Sequence, residues 1–176
     1  MELQKKLELY TKYLHGLDNN LSMLEIEDVE LNEFDFTKYD LNNGYFGGVK
    51  FISCDFTNVY LSGSNFGGSQ LNACILYNNS LVKAEWDDVT MSGMKVKSLN
   101  AFRSSFIFSK FVNCNCENSN FESCNFAGAN FDNVIFEGCN FKDAYFNGCT
   151  FNNVIFKNCI IETDLEDVDG LSIVND

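Results

Sequence analysis

The stretch CNFKDAYFNGCTFNNVIFKNC, Cys139 to Cys159, sets phenylalanine at positions 141, 146, 151 and 156. A helix returns to its buried face every 3.6 residues and a flat strand every 2. A stride of five fits neither, so the stretch calls for a backbone that turns once in each five residues. The stride extends far beyond it. Every residue whose number ends in 1 or 6, from Leu21 to Ile161, is apolar, 29 positions without a slip. In a chain that is 45% hydrophobic, chance yields such a run about once in 10^10 trials on composition statistics.

Two positions before each of these residues stands a second column. From Gly44 onward it is mostly small: Cys54, Ser64, Ser69, Cys74, Ala84, Ser104, Ser109, Cys114, Ser119, Cys124, Ala129, Cys139, Ala144, Cys149 and Cys159. Residues two apart share a side of an extended segment. The large and the small side chain therefore both point inward. The other three positions are rich in Asn, Asp, Gly, Ser and Lys, and Asn, Gly and Asp tolerate the φ values that turns require. Strand, turn, strand, turn closes into a coil. Stacked coils then pair backbone with backbone at about 4.7–4.9 Å and build a continuous core.

The units CNFKD, AYFNG, CTFNN, CNFAG and ANFDN resemble the pentapeptide-repeat family, whose motif is A(D/N)LXX with Leu or Phe at the centre. The resemblance implies an all-β fold, a right-handed quadrilateral β-helix with four pentapeptides per coil. On that reading the 29 units make about seven coils, a rod of about 34 Å at the strand spacing.

Outside the repeat, Leu3, Leu7, Tyr10, Leu14 and Leu17 form one apolar stripe over a helix at 2–15, and Gly16 suits its stop. Three segments follow: a cap helix at 1–18, the β-helix at 19–162 and a C-terminal cap or tail at 163–176. The tail offers Leu165, Val168, Leu171, Ile173 and Val174. These either plug the last coil or pair with a second copy in a two-fold dimer. Within the repeat, Ala101 takes a large-residue position while Phe102, Ile107, Phe108 and Val112 fall at outward ones. Either the chain bulges so that Phe102 turns in, or these side chains form an exposed apolar interaction surface.

The chain carries a net charge of -13 and a pI near 4.3, which argues against direct binding to nucleic acid or to an anionic membrane. The N-terminus has no signal-peptide pattern and no long apolar run is present, so a cytoplasmic setting with free thiols is expected. The single His15 lies on the cap helix, so no Ser or Cys of the repeat has a histidine base. Stacked cysteines give a line, not a tetrahedron, so they read as small core residues rather than zinc ligands. Cys116 in place of a phenylalanine leaves a thinly packed spot. No cofactor, metal site or enzymatic activity is expected.

Acids crowd the two ends. Residues 18–40 hold eight against Lys38 alone, residues 41–110 hold four against six bases, and residues 111–176 hold eleven against two. The first functional reading is a non-catalytic protein-interaction rod whose partner the sequence does not name. The resemblance adds an alternative: mimicry of DNA towards a type II topoisomerase, DNA gyrase, as in bacterial quinolone-resistance proteins of the family. Glu117, Glu122, Asp132, Glu137 and Asp143 are then the candidate phosphate mimics. They would form one acidic centre if two chains met at their C-terminal ends as a homodimer.

Overall fold

A computed structural model describes residues 3–18, 23–162, 165 and 170–175. Strands pair in parallel with partners 20 residues on, as Asn130 with Thr150 and Asn115 with Ile135. One coil therefore consumes four pentapeptides, and about seven coils stack into a β-solenoid. The four faces are conveniently named by their central residues. Face 1 runs from Leu41 to Ile161, face 2 from Ile26 to Phe146, face 3 from Leu31 to Phe151 and face 4 from Phe36 to Phe156. Face 3 is a seven-stranded sheet from Glu30–Asn32 to Thr150–Asn152. Face 4 carries a six-stranded one, five strands from Ile75–Tyr77 to Val154–Lys157 and Leu171–Val174 as the sixth.

Each corner is made by one residue in the left-handed conformation, two places after the central one. Asn58 (φ 60°), Asn113 (52°) and Gly128 (67°) show the pattern, and Lys38 alone among positions 28 to 158 departs from it. The residue before the centre secures the turn: the Asn65 carboxamide oxygen accepts the Gly67 amide at 2.8 Å, and Asn125 accepts Ala127 at 3.0 Å. This Asx turn explains the preference for Asn or Asp at that place.

Every described central residue is buried except Leu31, Phe151 and Ile161, at the rod's ends. The rings stack at the coil pitch: Phe106 on Phe126 at 5.1 Å, and Phe126 on Phe146 at 5.1 Å, within 9° of parallel. The small column is polar for a reason. Ser109 donates to the Trp86 carbonyl at 2.6 Å, and Cys114 to that of Met91 at 3.4 Å. Both acceptors lie 23 residues back, in the preceding coil, so a short donor ties one coil to the next. The expected thin spot exists: an apolar cavity of about 10 Å³ among Leu76, Trp86, Val96, Phe106 and Cys116.

The helix Leu3–Leu14 lies over the first coil and buries Leu7 and Tyr10. Tyr10 donates to the Asn42 carbonyl at 2.6 Å, Thr11 accepts the Asp40 amide at 3.1 Å, and His15 Nε2 lies 3.2 Å from Asp40 Oδ2. The cap shields an edge that would otherwise recruit other strands. Leu17 corrects the expected stripe. The helix has stopped and Gly16 has turned left-handed (φ 70°), so Leu17 is 75% exposed.

At the other end, Leu171–Val174 adds a strand in parallel to Val154–Lys157. Gly170 makes this approach possible: a Cβ there would lie 2.3 Å from the Phe151 carbonyl oxygen. Leu165 is buried, while Ile160, Ile173 and Val174 stay exposed. The tail thus covers part of the last coil. Val168 lies outside the described residues.

Candidate interaction surface

The outward positions line up in columns with a stride of 20, so each face presents stacked side chains on a flat backbone. Phe102 does not turn inward. Ala101 is fully buried at its own position, and Phe102 stays half-buried on face 1 with the Arg103 guanidinium 4.8 Å from its ring centre. A bulge would have broken the hydrogen bonds that Ala101 and Arg103 donate to Asn120 and Glu122 of the next coil. That cost exceeds the gain from one ring.

Ile107, Phe108 and Val112 are also outward, but the four residues do not form one girdle. Phe102 lies on face 1 and Val112 on the opposite face 3. Ile107 and Phe108 adjoin at the corner between faces 2 and 3. Of the four only Phe108 is strongly exposed, at 62%. It also holds a left-handed backbone (φ 57°), a conformation unfavourable for a bulky residue.

The five acids are likewise dispersed. Glu117 and Glu137 stack in one column of face 4 between two lysines, with Lys97–Glu117 at 3.5 Å and Lys157–Glu137 at 3.0 Å. Glu122 stands on face 1, where Asn140 donates to it at 3.2 Å. Asp132 lies on face 3 and accepts from Asn152 at 2.7 Å. Asp143 occupies a left-handed corner (φ 54°). No single acidic stripe joins them. The first coil is more uniform: Glu25, Glu27, Asp28, Glu30, Glu33 and Asp35 are all exposed around it.

Two features escaped the sequence reading. Tyr145 is 52% exposed on face 2, and Tyr60 59% on face 1. Both are aromatics off the 1-and-6 phase, which is the signal that would have marked them. The lysine–glutamate column also has a signature, opposite charges 20 apart.

The thiols are core groups. Burial pushes Cys124 up to about 12, and holds Cys116 well above the ordinary thiol range. Cys54 and Cys74 share a hydrogen bond that lowers the first and raises the second. Among the described residues no group of three or more His, Cys, Asp or Glu side chains is placed to hold a metal ion. No helix among them is long and apolar enough to cross a membrane.

A family model described as pentapeptide repeats matches residues 54–93, 102–138 and 135–169. No curated protein matches the chain. Among solved structures it is similar to trypsin-treated QnrB1, a plasmid-mediated fluoroquinolone resistance protein. Identity is 18%, coverage 85% of this chain and 91% of that one, and the TM-score 0.36. Rfr23 from the cyanobacterium Cyanothece gives 20% identity, coverage of 79% and 88%, and a TM-score of 0.34. HetL from Nostoc, involved in heterocyst differentiation regulation, gives 10%, 89% and 97%, and 0.27.

Proposed function

We propose that this chain, which belongs to the pentapeptide-repeat family, is a non-catalytic rod that binds another protein through its side faces. The supporting observation is the surface itself. About seven coils, loop-free among the described residues, hold outward side chains in columns, with Phe108 and Tyr145 exposed at 62% and 52% where the repeat gives them no packing role. A rigid backbone of this kind loses little conformational freedom on binding. The test is affinity capture from the source cell, followed by reconstitution of the captured protein with the purified rod. A complex of defined stoichiometry is expected at physiological salt. Absence of any protein enriched over a denatured-rod control would refute the reading.

A second reading is mimicry of DNA towards a type II topoisomerase such as DNA gyrase. One observation favours it: a rod about 34 Å long by coil spacing carries a net charge of -13, with acids concentrated at both ends. The lysine partners of Glu117 and Glu137 weigh against it. A gyrase supercoiling assay decides, with inhibition or drug protection at micromolar rod as the positive result.

The exposed Ile160, Ile173 and Val174 also support two-fold pairing at the C-terminal end. Light scattering should then give twice 19.9 kDa, and a monomer mass would exclude it.

A further inference from the structure

We propose that the corner between faces 2 and 3, in the fourth to seventh coils, docks a protein segment that carries an arginine or lysine beside an apolar side chain. This rests on the reading of the rod as a protein-binding scaffold and assigns that reading a site and a partner chemistry.

Phe108 occupies a corner position that Asn, Asp, Ser or Gly fills in most other coils. It is strained there and remains 62% exposed, so the core does not account for it. Its ring lies along the corner over Gly128: a Cβ at that glycine would lie 2.5 Å from ring atoms Cδ1 and Cε1. One coil further, the same position is Gly148, and beside Gly128 stands Ala127. Tyr145, 52% exposed, rises from face 2 in the seventh coil. With the Phe108 ring covering Gly128, the two exposed aromatics flank a low floor of Ala127 and Gly148, on which Asn147 is the one longer side chain. Aromatic anchors of this kind dominate interface cores.

On the other side of Phe108, one coil back, the charge is negative. Asp88 holds the corner position one coil before Phe108, and Glu85 and Asp87 share face 2 with Ile107. Asp87 is engaged by the Ser105 hydroxyl at 2.5 Å and the Ile107 amide at 2.8 Å. Glu85 accepts from Asn65 at 2.9 Å. Asp88 projects from an exposed corner. Lys110 on face 3 is the cation nearest in sequence, and the Arg103 guanidinium is turned to Phe102 at the far corner of face 2. A guanidinium can then meet Asp88 and the face of Phe108 together, while an aliphatic neighbour covers Ala127 and Gly148.

The experiment is an amide NMR titration of the full chain with N-acetyl-Leu-Arg-Leu-Arg-amide, with the Leu-Glu-Leu-Glu analogue as control. Shifts confined to residues 85–88, 105–108, 125–128 and 145–148, with the arginine peptide only, are expected. Phe108→Asn should weaken the interaction at least tenfold. It should also raise Tm by about 2–4 °C, because Asn accepts the left-handed backbone. A purely structural Phe108 would instead lower Tm and leave the titration unchanged. Shifts centred on the Glu25–Asp35 collar, an equal response to the glutamate peptide, or no response at millimolar peptide would overturn the proposal. So would wild-type self-association that Phe108→Asn abolishes, since the occupant would then be a second copy. If the Phe108→Asn rod still captures its partner from cells, this site is wrong and the scaffold reading survives. If the wild-type rod captures nothing, the scaffold reading itself fails.

Discussion

Phe126→Ala separates a ring held in the core from one carried on the surface. Phe126 is fully buried and contacts six other rings, from Phe106 and Phe146 at 5.1 Å to Phe141 at 6.1 Å. A phenylalanine buries about 150–250 Å², which at about 25 cal/mol per Å² is worth about 4–6 kcal/mol. Alanine keeps the Cβ, and the stacked rings above and below are held by backbone bonds, so the void cannot collapse. The expected loss is about 3–5 kcal/mol. Urea unfolding followed by circular dichroism reads it: with a slope of about 2 kcal/mol per M, the midpoint falls by about 1.5–2.5 M. Phe126→Leu, which keeps a large central residue, should cost less than about 1.5 kcal/mol. A loss below about 1 kcal/mol for alanine, typical of a surface site, would refute the inward placement of the ring.

Other consequences follow from single contacts. The Asn79 amide nitrogen donates to the Phe56 and Val59 carbonyls, but its Oδ1 is buried without a partner. Asn79→Ser retains a donor there and removes the orphan, so thermal unfolding should show a gain of about 1 kcal/mol or more. Ser109→Ala removes the bonds to Trp86 and from Val89 and should cost about 1 kcal/mol by the same measurement, with Ser109→Cys recovering part of it. Burial, with Asp40 nearby, raises the Tyr10 phenol to about 12 from its ordinary 10. A group raised on folding contributes its stability below the unfolded value and loses it as pH climbs through the folded one. The cap should therefore loosen between pH 10 and about 12, and Tyr10→Phe should flatten that part of the stability profile. Gly170→Ala, which drives a Cβ into the Phe151 carbonyl, should release the last strand. Faster amide exchange at Val154 and Asn158, which donate to Gly170 and Val174, would report it.

The core was readable from sequence because an unbroken stride leaves each side chain only one side of the wall to occupy. Phe121 to Phe156 and the cysteines behind them follow from that alone. Phe102 is instructive. Its neighbour Ala101 suggested a bulge, yet the two-sided hydrogen bonding of a stacked coil makes one residue's slip costlier than one exposed ring. Position along the chain groups the five acids into one C-terminal segment, whereas neighbours in this fold are 20 apart. That stride sets Glu117 and Glu137 between Lys97 and Lys157. The ends were harder, because Leu17 and Ile173 answer to helix length and to how the tail docks, neither of which the repeat dictates.

The central claim is that large and small side chains at the five-residue stride fill the inside of a closed tube. Alkylation of the eight native thiols, resolved residue by residue by mass spectrometry, tests it directly. Cys54, Cys74, Cys114, Cys116, Cys124 and Cys139 are buried, while Cys149 and Cys159 are half-buried at the open end. The six should react only through opening of the coils, orders of magnitude slower than in the unfolded chain. Cys149 and Cys159 should react first. Alkylation of all eight in the native protein at the unfolded rate would contradict the account.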